Sequence, residues 1–204
     1  MLNKKSLVAT TFGTIAAALL VITQTAGTAD KSQAFKLEGA WTATCPNPFD
    51  SEHPFRWTYT VSPIDPSGKA AVVRGEWIVP IPSWLFVPEI APGGQYAMDY
   101  FTSFYGEARM AGPDSAVMTA YSYGMKNDPA LGPQIAYITA WVSELKFRAP
   151  NKLEATHYMA FYPPNATGII TQDDQPFAVF PFNGGTSVDT RLAPLRPGDL
   201  AFKK

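Results

Sequence analysis

The chain has 204 residues, of which 46% are hydrophobic and 16% charged, and its formal net charge at pH 7 is −1. This balance, without a cluster of lysine and arginine, argues against nucleic acid as a partner. The chain has a single cysteine, which excludes an internal disulfide.

The first 29 residues have the layout of a secretory signal peptide. A basic start, MLNKK, precedes an apolar run over 7–22, and small residues follow. Cleavage after Ala29 or after Ala34 fits a small-residue site. The alternative is an uncleaved anchor, but the run is shorter than the about 20 apolar residues that a spanning helix needs. We therefore predict a secreted or periplasmic protein that has no integral membrane segment after signal removal and a flexible segment over 30–36.

The next predicted elements are all strands. They are rich in Val, Tyr, Phe, Trp and Thr with a period of two. Pro and Gly in the breaks between them are typical of turns. Residues 191–204 are expected to form a C-terminal tail. In chain order, the predicted strands are 35–44, 55–62, 69–79, 95–110, 114–126, 134–148, 152–162 and a shorter one at 177–182.

The strand count predicts an all-β domain over 37–190, an antiparallel up-and-down β-barrel of about eight strands. A long meander closes into a barrel because closure removes its two edges, and an open sandwich is the alternative. The strands at 114–126 and 134–146 each set a side of small or aliphatic residues against a side bearing aromatics and hydroxyls. Because neither side is strongly charged, either another subunit covers the outside, as a possible homo-oligomer, or the inside is an aromatic-lined cavity.

Residues 80–94 form a proline-rich apolar segment that is predicted to be a long loop, because proline withdraws backbone donors. We expect 84–87 (WLFV) to be buried. Three interpretations remain open: a loop packed over one end of the barrel as part of the core, a lid over a cavity mouth, or a contact patch for a partner or membrane surface.

Two short motifs resemble the lipocalins. LEGAW (37–41) contains Gly39-x-Trp41, which resembles their first conserved block, and Asp99-Tyr100 in MDYFTSFY resembles their second. The spacing between the blocks differs from the family, and Arg191 is a late arginine without a clear third block around it. The resemblance implies a calycin-like barrel, as in lipocalins and allene oxide cyclases, with Trp41 closing the floor and a small apolar ligand inside.

We therefore predict that the chain binds a small hydrophobic molecule in an internal cavity, without a cofactor. Apolar burial would provide affinity, and Tyr, Thr and Ser hydroxyls would orient the ligand. Alternation along the strands means that the candidate aromatic positions cannot all point inward. These candidates are Trp77, Trp84, Phe86, Tyr100, Phe104, Tyr121, Tyr137, Trp141 and Tyr158.

The alternative function is a cofactor-free isomerase, cyclase or dehydratase acting in the same cavity. Its candidate acids and bases are His157, Asp99, Glu107 and Arg109. His157 lies on an apolar side of its strand, where a hydrogen-bonded core histidine is the competing interpretation. Glu107 and Arg109 are neighbours on one face and are expected to form an ion pair at the rim. A structural or assembly subunit is a further alternative.

The sequence predicts no metal site. His53 lies beside Asp50 and Glu52, but no histidine or cysteine pair has ligand spacing. Cys45 is expected to be a small buried residue, the alternatives being a reactive thiol or an intermolecular disulfide.

Overall fold

The structure is a computed structural model that describes residues 37–48, 50–64, 70–79, 82–180 and 183–193. The predicted signal peptide (1–29), the segment 30–36 and the tail beyond 193 lie outside the described residues. Among the residues described, no helix is long and apolar enough to cross a membrane.

The described chain is mostly β-strand and has almost no helix. Two short 3-10 helices, Ser83–Leu85 and Pro88–Ile90, lie between the third and fourth strands. The strands are β1 Gly39–Cys45, β2 Phe55–Pro63, β3 Ala70–Val79, β4 Tyr100–Phe101, β5 Phe104–Gly112, β6 Ser115–Asp128, β7 Gly132–Ala149, β8 Lys152–Tyr162, β9 Ala178–Val179 and β10 Gly185–Arg191.

The sheet closes on itself. Antiparallel pairing runs from β1 through β2, β3, β5, β6, β7 and β8, then β8 pairs with β10 and β10 pairs back to β1. The result is a closed eight-stranded antiparallel barrel that fits a calycin-like fold, as predicted, and the open-sandwich alternative is wrong. The short strands β4 and β9 extend the walls by pairing with β6 and β8.

The predicted strand at 95–110 is wrong in its first part. Residues 95–99 form a turn followed by irregular backbone, and the strand breaks between β4 and β5. At the break, the Thr102 side-chain oxygen accepts a hydrogen bond from Tyr123 N at 3.0 Å, in place of a ladder carbonyl. The break separates the faces on either side of it. Phe101 is half-buried against Tyr137, whereas Tyr105 is exposed.

The strand that completes the barrel, β10, was not predicted. It has the sequence GTSVDTR, and its buried positions are Ser187 and Asp189. Because these inward residues are polar, the strand lacks the apolar alternation by which the others are recognised. Within the predicted last strand at 177–182, β9 covers Ala178–Val179, and residues 181–182 lie outside the described residues.

The interior is filled by pairing small residues with large ones. On β6 the buried side carries the small residues, and on β7 it carries the aromatic and hydroxyl-bearing ones. Gly124 and Tyr137 are direct cross-strand partners. A Cβ on Gly124 would lie 2.2 Å from the Tyr137 ring, so glycine there makes room for tyrosine.

Trp41 lies at one end of the barrel. It is fully buried, and its Nε1–H donates to Leu37 O at 2.9 Å.

The loop between β3 and β4 contributes to the opposite end of the barrel, but only part of it is buried. Val87 and Ile90 are buried, whereas Trp84 and Leu85 are 46% and 48% exposed. The expectation that all of 84–87 is buried is therefore wrong. The 3-10 turn explains the difference: Val87 N donates to Ser83 O at 2.9 Å, so the turn brings these two buried residues together and leaves Trp84 and Leu85 on the outside.

Candidate functional site

A pocket of about 300 Å³ opens at the end of the barrel where β1 ends and β2 and β10 begin. This volume is at the small end of the range of small-molecule sites. The centre of the barrel is packed, so the space lies at its end. The lining residues are mostly apolar and include no Lys, Arg, Asp or Glu: Cys45, Pro46, Pro48, Phe55, Trp57, Phe86, Trp141, His157, Met159, Phe180, Asn183, Gly185 and Thr186.

The pocket has a buried aromatic floor and an exposed rim. Trp57 and Trp141 are almost completely buried, and their rings meet edge to face with centroids 5.2 Å apart. Asn183 and Thr186 are exposed at the rim. The pocket is therefore apolar at its buried end and open to solvent at its rim.

His157 is the one titratable ring on the pocket wall, and protein groups hydrogen-bond both of its nitrogens. Trp141 Nε1–H donates to Nδ1 at 3.2 Å, and Ser143 Oγ lies 2.8 Å from the same atom. Because an indole N–H can only donate, Nδ1 accepts and the ring proton is assigned to Nε2. Nε2 then donates to Ser187 Oγ at 2.8 Å.

The hydrogen bonds continue from Ser187 into a buried carboxyl group. Ser187 Oγ–H donates to one oxygen of Asp189 at 2.6 Å, and Tyr59 OH donates to the other at 2.6 Å. Asp189 is 1% exposed. Two hydroxyl donors thus satisfy an acid that would otherwise be costly to bury.

Burial shifts the titration of this chain of groups. It lowers the pKa of His157 to about 3, because the charged imidazolium is disfavoured away from water. It raises the pKa of Asp189, and the bonds from Ser187 and Tyr59 act in the opposite direction. Burial, followed by the charge of Asp189, also raises the pKa of the Cys45 thiol. At neutral pH, His157 is uncharged and Cys45 is a thiol.

Three buried side-chain polar atoms in the barrel interior have no hydrogen-bond partner among the described residues: Trp57 Nε1, Trp77 Nε1 and Thr139 Oγ1. Each lies on the inward side of its strand. A buried donor or hydroxyl without a hydrogen-bond partner lowers the free energy of unfolding, so these three groups destabilise the barrel.

The predicted ligand-binding aromatics lie in three places. Phe86 and Trp141 line the pocket. Trp77, Phe104 and Tyr137 lie in the core beyond it, where Trp77 stacks on Trp141 at 5.2 Å. The remaining four lie outside the pocket: Trp84, Tyr100 and Tyr158 are exposed, and Tyr121 is half-buried. All nine stay predictions as ligand contacts.

The predicted catalytic residues are not brought together. Of the four, only His157 lines the pocket. Asp99 is exposed and accepts a hydrogen bond from Asn127 N at 2.7 Å. Glu107 and Arg109 form an exposed ion pair of 3.0 Å.

Sequence reasoning missed the polar residues behind His157, namely Ser143, Ser187, Asp189 and Tyr59. Their strands place them inward, but isolated serines and one aspartate have no motif that would single them out. The available signal was an aspartate and a serine two residues apart in a strand-length segment between turn residues. No group of three or more His, Cys, Asp and Glu lies close enough among the described residues to hold a metal ion.

No protein-family model matches the chain, and no curated protein matches it. Two redesigned β-barrels are among the similar solved structures. One has a TM-score of 0.43 and 12% identity, covering 79% of this chain and 96% of its own. The other, bound to the small molecule DFHBI, has a TM-score of 0.40 and 11% identity, covering 78% of this chain and 98% of its own.

Proposed function

We propose that this protein binds a small, largely apolar molecule in the pocket at the end of its barrel. The observation that carries the proposal is the pocket itself, about 300 Å³ of space against a buried aromatic floor. Burial of the ligand against Trp57 and Trp141 would supply most of the affinity, since apolar contact contributes about 25 cal/mol per Å² removed from water.

The surroundings of His157 favour binding over catalysis. Both ring nitrogens are already hydrogen-bonded to protein groups. A general base works best with a pKa near the working pH, and the pKa of His157 is about 3. An isomerase, cyclase or dehydratase would have to displace these bonds before His157 could accept a proton from a substrate.

The amide of Asn183 is the polar group best placed to orient a ligand at the rim. Its oxygen accepts a bond from Met159 N at 2.8 Å, which holds that oxygen against β8. The two N–H donors of its nitrogen have no hydrogen-bond partner among the described residues. We propose that they bind an acceptor on the ligand.

The single cysteine of the chain provides the test, because Cys45 lies on the pocket wall. The rate of its alkylation by N-ethylmaleimide is measured with increasing N-phenyl-1-naphthylamine, a neutral aromatic probe. Bound probe is expected to slow alkylation over the concentration range in which its fluorescence rises. Alkylation at an unchanged rate while fluorescence saturates would place the probe elsewhere and overturn the proposal.

A matched pair of variants strengthens the test. Phe86 lines the pocket, and its neighbour Leu85 is 48% exposed. Phe86→Ala is expected to weaken probe binding by about tenfold, the loss of roughly one aromatic contact surface. Leu85→Ala is expected to leave probe binding unchanged. Equal effects of the two variants would contradict the assignment of the pocket.

We also propose that the chain is exported, that its barrel is lipocalin-like and that it can form homo-oligomers. The signal-peptide pattern of residues 1–29 supports the first, and the buried Trp41 of the Gly39-x-Trp41 block supports the second. N-terminal sequencing of the protein from its source, where a start at Asp30 or at Phe35 is expected, tests the first, and sedimentation of the mature chain tests the third. A start at Met1 would contradict export by cleavage.

A further inference from the structure

We propose that the pocket selects an organic cation, an alkylated amine or quaternary ammonium group, over an uncharged molecule of the same shape. This inference rests on the function proposed above and names the chemical class of its ligand. Its basis is an aromatic wall, the absence of a cationic side chain from that wall, and the acidic residues around the mouth.

Five of the residues on the pocket wall are aromatic apart from the histidine. Besides the floor pair Trp57 and Trp141, Phe86 and Phe180 meet at the mouth with centroids 5.6 Å apart and ring planes at 88°. Phe55 is the fifth. The face of an aromatic ring carries partial negative charge, and tryptophan attracts cations most strongly. The rings of each pair stand nearly at right angles, so the wall holds aromatic rings in several orientations, as aromatic cages for alkylammonium groups do.

No positive charge on the wall opposes a cation. The lining contains no Lys or Arg, and His157 is uncharged at neutral pH. An organic anion would find no cationic partner there and would lose its hydration without compensation. A buried acid, Asp189, lies behind Ser187, where its carboxylate form would attract a cation.

The described segments that adjoin the mouth residues in the chain carry more Asp and Glu than Lys and Arg. Asp50 and Glu52 lie in the exposed loop that leads from the rim prolines into β2, and Glu89 lies in the 3-10 turn that follows Phe86. A hydrogen bond with His53 lowers the pKa of Asp50, which keeps its carboxyl ionised. The basic residue nearby, Arg56, is exposed and lies between the buried Phe55 and Trp57, so it points to the outer surface. Such a field raises the local concentration of cations at the entrance.

The test compares two compounds of nearly equal shape, choline and 3,3-dimethylbutan-1-ol, in which carbon replaces the quaternary nitrogen. Protection of Cys45 from N-ethylmaleimide, an uncharged reagent, reports occupancy of the pocket by either one. Choline is expected to give half-protection at a concentration at least tenfold lower than the alcohol. Protection by the alcohol at an equal or lower concentration would overturn the inference.

A variant that removes one ring checks the cause of the preference. Phe86→Leu keeps an apolar side chain on the wall but removes a ring face, so the ratio of choline affinity to alcohol affinity is expected to fall about fivefold. Leu85→Ala, on the exposed side of the same turn, is expected to leave the ratio unchanged. A ratio unaffected by Phe86→Leu and Phe180→Leu alike would contradict a role for the rings.

The two proposals fail in different ways. If N-phenyl-1-naphthylamine protects Cys45 and choline does not, the pocket binds neutral molecules and only the cation preference is wrong. If no compound protects Cys45, the binding function itself is wrong.

Discussion

The guanidinium carbon of Arg191 lies 4.7 Å from the centroid of the Trp41 ring, across the pair of strands that closes the barrel. The two residues are direct register partners on β1 and β10. Cation and ring therefore meet at the joint between the first and last strands. In the sequence, the Gly39-x-Trp41 motif singled out the tryptophan of this contact. No motif around Arg191 identified the arginine as its partner.

Replacing Arg191 is expected to weaken barrel closure. Arg191→Met retains much of the apolar stem but removes the charge over Trp41, and we expect it to lower the free energy of unfolding in urea by about 1–2 kcal/mol. Arg74→Met, an exposed arginine on β3, serves as the control and is expected to change it by less than about 0.5 kcal/mol. Additivity of Arg191→Met and Trp41→Phe in a double-mutant cycle would show that the two side chains do not interact.

Thr139 and Ser143 lie on the same face of β7 but should respond in opposite directions to loss of the hydroxyl. Thr139 Oγ1 is buried without a partner, so Thr139→Val is expected to raise the free energy of unfolding by about 1 kcal/mol. Ser143 Oγ is bonded to His157, so Ser143→Ala is expected to lower it by about 1–2 kcal/mol. Chemical denaturation gives the free energy of unfolding of each variant. A Thr139→Val variant that is less stable than the wild type would contradict the assignment of an unpaired hydroxyl.

Gly124 is required by the ring of its cross-strand partner. A methyl group at this position would overlap the Tyr137 ring, and we expect Gly124→Ala to cost about 1–3 kcal/mol of unfolding free energy. The cause is tested by adding Tyr137→Ala, which removes the ring. Gly124→Ala should then cost much less than it does in the wild-type background, and an unchanged cost would mean that the strain arises elsewhere.

Protonation of His157 should make the protein less stable in acid. The pKa of His157 is about 3 in the folded chain and about 6.5 when exposed, so between these values the unfolded state binds the extra proton. The contribution of His157 is therefore complete above pH 6.5 and is lost as the pH falls towards 3. Asp189 acts in the opposite direction, because its folded pKa is raised and its stabilising contribution grows as the pH falls.

Comparing wild type with His157→Gln isolates the histidine from Asp189. Urea unfolding at pH 7.5, 5.5 and 4.5 is expected to show the stability advantage of the wild type shrinking at each step. Asp189 is present in both proteins, so its effect largely cancels. An advantage that is independent of pH would mean that His157 titrates with an ordinary pKa in the folded state.

Much of the barrel wall could be predicted from the sequence because its strands alternate. Phe55, Trp57 and Tyr59 share one side of β2, and the structure places all three inside. The same rule failed for β10, where Ser187 and Asp189 take the inward positions. Periodicity detects a strand through the hydrophobicity of its buried side, and two polar residues that are satisfied by distant partners cancel that signal.

The pocket was harder to predict than the wall. His157 and Trp141 were both candidates, and they meet on neighbouring strands at the pocket. Trp84 and Tyr158 were equally aromatic candidates but are exposed. Composition cannot separate these cases, because a ring that lines a pocket and a ring on an outer face obey the same alternation.

The sequence by itself determined the class of the fold, the positions of most strands and the absence of a disulfide, since these follow from short-range patterning and from counting. Only the tertiary structure decided which face of each strand points inward, that the barrel centre is packed, and that the open space lies at one end beside His157. These features depend on contacts between strands that are far apart in the chain, such as the contact of Tyr59 with Asp189. A local sequence pattern carries no information about such contacts.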